Sequence, residues 1–185
     1  MPGYAPENGL PFQPQAARRL LSAAGHPSGG DLPPVFCVVR PARRRPLQEV
    51  QAQWRRHLNI EVKLRLVPPP DFMEYITKEQ PPIFAAGWWA DYNDPDNFLR
   101  ICVEMDLPQW RHERYWALLA QARRTTVQEE RLALYQQVDA LFMQEAVLIP
   151  LIYSEQHVML KPWVRRFPTA PVKHSGFWKD VLIRR

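Results

Sequence analysis

At 185 residues, 46% of them apolar and 23% charged, the chain is long enough to bury a core and too apolar for a disordered segment. No stretch approaches the roughly 20 apolar residues of a membrane-spanning helix, and the opening Met-Pro-Gly-Tyr-Ala-Pro lacks the basic-then-apolar order of an export signal. The net charge of +5 is carried mostly by arginine, and with no nucleic-acid motif beside it no nucleic-acid partner is expected.

In chain order, Ala16, Ala17, Leu20, Leu21 and Ala24 give the i, i+3, i+4 stripe of a short helix from Pro14, stopped by Gly25 and Pro27. Beyond the turn Ser28-Gly29-Gly30-Asp31, residues 34–40 hold the run Val-Phe-Cys-Val-Val, which predicts a strand buried on both faces. A helix over 46–58 follows, with Leu47, Val50, Trp54 and Leu58 along one side. Ile60, Val62, Leu64 and Leu66 then alternate with Glu61, Lys63 and Arg65, the period of a half-buried strand over 60–67 that the prolines at 68–70 end. A short helix over 71–78 and a strand over 83–89 complete a helix-strand order repeated along the chain, which implies an α/β layer with parallel neighbours.

The second half reads differently. Helices over 111–123 and 127–145, separated at Thr125-Thr126, predict a helical hairpin, the second burying Leu134, Val138, Leu141 and Phe142. Residues 147–153, Val-Leu-Ile-Pro-Leu-Ile-Tyr, read as an apolar strand that Pro150 bends or confines to an edge, with 156–161 as its candidate partner. From Trp163 onward the chain is basic and weakly periodic, and residues 177–183 are the only strand expected there.

Cys37 and Cys102 have no cysteine or histidine at metal-ligand spacing nearby, so no zinc site is expected. The apolar neighbours Phe36, Val38 and Val39 favour a buried free thiol at Cys37 over a disulfide. Asp91, Asp94 and Asp96 partly match a calcium loop, but Pro95 and the missing later glycine and glutamate argue against one. Without a Gly-x-Ser-x-Gly elbow, a phosphate loop or spaced histidines, neither catalysis nor a cofactor is expected.

Residues 87–100 carry the functional signal: Gly-Trp-Trp-Ala-Asp-Tyr-Asn-Asp-Pro-Asp-Asn-Phe-Leu-Arg. An apolar run gives way within a few residues to acids, amides and aromatics, and it does so after the third predicted strand, where open α/β sheets collect ligands. Trp88 and Trp89, at successive strand positions, are expected to face opposite sides, so that one packs in the core. Asn93, Asp94, Pro95, Asp96 and Asn97 are expected chiefly to shape a turn and cap the helix that follows.

Within that run, residues 87–95 resemble the Gly-Trp-x-x-Asp-Tyr-x-Asp-Pro segment of the extracellular solute-binding proteins of peptide importers, family 5. Three further runs resemble the same family in the same order. They are Ala16-Ala17-Arg18-Arg19-Leu20-Leu21 with Ala23-Ala24-Gly25; Leu58-Asn59-Ile60-Glu61-Val62, with Asn59 where glycine is common; and the Arg131-to-Tyr135 helix leading to Ile149-Pro150-Leu151. The resemblance implies an α/β fold, a mixed sheet flanked by helices as in the carboxyl-terminal lobe of a type II periplasmic binding protein. It places that lobe over 1–162, with a tail over 163–185 that returns toward an amino-terminal lobe.

What the resemblance implies for function is non-catalytic capture of short peptides or similar amine-bearing solutes for an ABC importer permease, with this chain supplying half of the cleft. Asp91 would pair the ligand's ammonium group and Trp88 would line the cavity, with Trp89, Tyr92 and Asn93 completing the ligand-contacting set. Location would be periplasmic or extracellular, or cytoplasmic if this chain without an export signal is a full-length product. A lone lobe would also expose apolar surface and self-associate. A second reading makes the chain an interaction module whose basic clusters, Arg43 to Arg45 among them, converge on nucleic acid or an acidic partner.

Overall fold

The computed structural model describes residues 6–104, 110–153, 157–167 and 181–184, with the backbone alone for 102–104. The chain packs as two compact units, Pro11–Gly87 and Met1–Leu10 with Trp88–Arg185.

The first unit is a small α/β layer. Helix α1 (Pro14–Ala23) starts on a proline, which suits a first-turn position whose N–H needs no intrahelical partner. Strand β1 (Val35–Val39), helix α2 (Arg44–Leu58), strand β2 (Val62–Leu66), helix α3 (Pro69–Glu79) and strand β3 (Ile83–Ala85) follow. The sheet order is β2-β1-β3, and both pairings are parallel as the helix-strand alternation predicts. Cys37, Val39, Leu47, Ile60 and Val62 form the core, packed against Leu21, Val50, Trp54 and Leu58. Cys37 is a free thiol whose pKa burial pushes up. The side chain of Cys102 lies outside the described residues.

Backbone economy sets the α1-to-β1 turn and the end of α2. Gly29 has φ +66°, and a Cβ there would stand 1.9 Å from the Leu58 carbonyl oxygen, so no other residue fits. Asn59 closes α2 in the left-handed region at φ 55°, a conformation asparagine tolerates, and its Nδ2 donates to the Ser28 carbonyl at 3.0 Å.

Two strand expectations change here. Phe36 is exposed, so β1 is buried on both faces only over Cys37, Val38 and Val39. Strand β3 stops at Ala85 rather than continuing to residue 89. Its ladder partner β1 ends at Val39, opposite Ala85, and the chain then turns into a short 3-10 helix at Pro41–Arg43, so nothing remains for residues 86–89 to pair with in that ladder.

The second unit is mostly helical: α4 (Asp96–Glu104), α5 (Glu113–Arg124) and α6 (Gln128–Gln144). The predicted hairpin is α5 with α6, and Leu99, Tyr115, Leu119, Ala122, Tyr135, Val138 and Phe142 make its core. Tyr115 sits at the centre. Its hydroxyl donates to the Leu99 carbonyl at 2.7 Å, and its ring meets Trp110 edge-on at 4.9 Å. Leu134 and Leu141, expected inside, are only partly buried, and Tyr135 and Met143 take the deeper positions.

Strands β4 (Val164–Arg166) and β5 (Leu182–Ile183) pair antiparallel. The sequence of β4, Val-Arg-Arg, carries no alternation that would have announced it. Of the strand expected over 177–183, residues 177–180 lie outside the described residues. Residues 147–153 form no strand, nor do 157–161; residue 156 is not described. Pro150 removes a ladder donor from the run, and Ile149, Leu151 and Ile152 are exposed instead of packed.

Candidate functional site

The motif residues from Trp88 to Arg100 belong to the second unit, and α4 and α6 organise them. Asp94 shapes the turn as the sequence suggests: its Oδ1 accepts from the Asp96 amide at 3.0 Å, and its carbonyl accepts from the Asn97 amide at 3.2 Å. The same carboxylate takes both terminal nitrogens of Arg131 from α6, at 2.6 and 2.8 Å. A two-pronged pair of this kind fixes direction as well as distance, so the turn is tied to the amino-terminal part of α6.

Asp96 is the buried acid, its side chain only 8% exposed. Its Oδ2 accepts from the Tyr92 hydroxyl at 2.8 Å and Arg100 Nε at 2.9 Å, and its Oδ1 from the Tyr135 hydroxyl at 3.4 Å, with Arg123 Nε at 3.9 Å. Burial works to raise its pKa, but the hydrogen bonds from Arg100 and Tyr92 and the charges of Arg100 and Arg123 outweigh it and leave the carboxyl below its ordinary value. Tyr135 is pushed up to about 12 by burial and by the Asp96 carboxylate. Arg131 is held above its usual value by its bonds to Asp94. Asp96 and Arg131 are therefore charged at neutral pH, with the Tyr135 phenol kept neutral beside them.

Asn97, fully buried, completes the underside of the loop. Its Oδ1 accepts from Trp88 Nε1 at 2.7 Å and from the Asp91 amide at 3.1 Å.

Above this base the predicted site residues lie on the surface. Trp88 and Trp89 are 37% and 48% exposed, which overturns the expectation that one of them packs in the core. Both follow the end of β3, so the strict side-to-side alternation of a strand does not govern them. Ala90 is the residue that turns inward. Asp91, Tyr92 and Asn93 are exposed. Tyr92 has its hydroxyl engaged by Asp96 and Arg100, and Trp88 its indole N–H by Asn97, so what each offers outward is ring surface.

Sequence reading missed Arg100, Arg123, Arg131 and Tyr135 as parts of this site. The available signal was helical spacing: Asp96 with Arg100 and Arg131 with Tyr135 are both i, i+4 pairs. Two depressions of about 170 and 330 Å³ lie beside α2, the first lined by Arg18, His57 and Asn59, the second by Gln48, Arg55 and Lys63, and neither takes in a motif residue. Among the described residues no group of three His, Cys, Asp or Glu could hold a metal ion.

The family model for bacterial extracellular solute-binding proteins, family 5, matches residues 1–105. The probable deoxycholate-binding periplasmic protein of Escherichia coli is 28% identical over 91% of this chain and 32% of its own length. The dipeptide-binding protein of Pseudomonas aeruginosa is 27% identical over 91% of the chain and 33% of its own. Among solved structures, clavulanic acid biosynthesis oligopeptide binding protein 2 superposes with a TM-score of 0.83 at 20% identity, over 100% of this chain and 37% of that one, which shows a shared fold. The chain thus spans about a third of the length of the relatives it matches. With more than half of its residues inside the family model and the same fold along its length, the chain belongs to the bacterial extracellular solute-binding proteins, family 5.

Proposed function

We propose that the chain supplies one wall of a binding site for short peptides or similar amine-bearing solutes, which are captured without chemical change for an ABC-type importer outside the cytoplasmic membrane. In this reading residues 1–162 act as the ligand-binding lobe and residues 163–185 as a tail directed to a second lobe. One observation carries it: Asp91 is exposed on the same loop as the exposed Trp88, Trp89 and Tyr92, so a carboxylate and aromatic surface are presented from one short stretch.

The chemistry fits an amine. An ammonium group entering a dry cleft needs a carboxylate, and a charge-assisted contact contributes about 1.5–3 kcal/mol. Trp88, Trp89 and Tyr92 present aromatic surface that accepts varied side chains without imposing a hydrogen-bond pattern, and Asn93 adds an amide at the rim. One relative is named for deoxycholate, a carboxylate anion, and another for dipeptides. A rim carboxylate repels the first and attracts the second, so the amine-bearing ligand is the better match.

Calorimetry and NMR titration with di- to pentapeptides, free and amino-acetylated, test this. One wall alone should bind weaker than micromolar. Acetylating the ligand and Asp91→Asn should each weaken binding by about tenfold, and together no further. Equal binding of free and acetylated peptides would overturn the role of Asp91, and micromolar affinity for this chain would overturn the one-wall claim.

A further inference from the structure

Asn97 does something that neither a turn nor a helix cap requires. Its side chain is fully buried in the first turn of α4, and its oxygen receives two donors from separate points of the motif: the indole N–H of Trp88 and the main-chain N–H of Asp91. Both groups can only donate, so the amide orientation is fixed with Oδ1 toward them and Nδ2 away. Nδ2 is buried and has no hydrogen-bond partner among the described residues. A buried donor left unmet destabilises a fold, and the two bonds to the oxygen are what offset that cost here.

We propose that Asn97 is a positioning residue that holds the Trp88 ring and the Asp91 main chain as one recognition unit. By fixing the separation of aromatic wall and carboxylate, it selects ligands whose ammonium group lies next to an apolar side chain, as at the first residue of a peptide. The ligand part of this inference rests on the peptide reading above; the positioning stands on the hydrogen bonds alone. The base beneath explains why Asn97 can act as a fixed point. Its main-chain N–H donates to the Asp94 carbonyl, and Asp94 is pinned to α6 by Arg131.

The test uses the 15N-labelled 185-residue chain and follows the Trp88 indole and Asp91 amide hydrogens by exchange, with the Val138 amide in the α6 core as reference. Asn97→Leu, of similar size without an acceptor, should move both resonances and speed exchange of both about tenfold while Val138 is unchanged. Asn97→Asp keeps an acceptor and should keep both protected. Unaltered Trp88 and Asp91 signals in Asn97→Leu would overturn the proposal. Should Asn97→Leu fail to fold, shown by loss of Val138 protection, Trp88→Phe decides: removing one of the two donors should perturb the Asp91 amide, whereas Trp163→Phe should not. Equal effects of the two would overturn it.

Trialanine serves as the ligand probe. If it binds the unchanged chain, Asn97→Leu should weaken it about tenfold, as Asp91→Asn does, and equal binding overturns the proposal. If it fails to bind the unchanged chain, the peptide reading falls, and the exchange data alone judge Asn97.

Discussion

Asp96 keeps a negative charge in a nearly closed place because four donors or cations converge on it, and that dependence makes it sensitive to acid. Its folded pKa lies below its unfolded one, so the stability it contributes is present above the ordinary carboxylate value, about 4, and is lost as pH falls through the lower folded value. Tyr135 works in the opposite sense. With its phenol pushed up to about 12, the unfolded tyrosine ionises first as pH rises, and stability declines from the ordinary tyrosine value upward. Asp96→Asn should lower stability at neutral pH by about 1–3 kcal/mol and flatten the fall below pH of about 4. Urea denaturation midpoints at neutral and acidic pH read both effects. A variant that loses stability with acid as steeply as the original chain would show that other carboxylates dominate.

Among the elements, those built on local pattern were legible and those set by distant partners were not. Helices α1, α2, α5 and α6 follow from apolar spacing, and the parallel order of β1, β2 and β3 from the alternation of helix and strand. The length of β3 was hidden because it is fixed by where β1 ends, and the ribbon of β4 with β5 because its pairing spans residues 164 to 183. At the site, the turn role of Asp94 could be read from the motif string. The bond from Asp94 to Arg131 joins residues 37 apart, and no local spacing reports it.

Asn59 shows how far a single motif letter can be taken. The position where glycine is common in the family's Leu-Gly-Ile-x-Val run is here a left-handed cap on α2, which any β-carbon burdens and asparagine burdens least. Asn59→Ala should lose both the tolerated backbone and the bond to Ser28, lowering thermal stability by about 1–2 kcal/mol, whereas Asn59→Gly should come within about 0.5 kcal/mol of the original. Calorimetric unfolding of the two variants decides it. Equal loss in both would place the contribution in the side-chain bond rather than in the backbone.

For the molecule as a whole, Arg100, Arg123 and Arg131 face Asp94 and Asp96 inside one unit, so these groups supply only one of the five net positive charges. Apolar surface is the stronger candidate for association. Ile149 and Ile152 are 60% and 56% exposed and Met159 is 98% exposed, with Leu151, Leu160 and Trp163 also open, all in the second unit. Exposed apolar side chains of this kind gain free energy by meeting a like surface, so copies of the chain should associate through them. Sedimentation velocity should show a weight-average coefficient that rises with concentration. Leu151→Lys combined with Ile152→Lys should weaken that association at least about tenfold, because each apolar side chain withdrawn from water contributes about 1.5–3 kcal/mol. The far-ultraviolet spectrum should stay unchanged, since both positions are exposed and outside helix and strand. One species of constant coefficient at every concentration, in the original chain, would remove the exposed run from consideration as an interface.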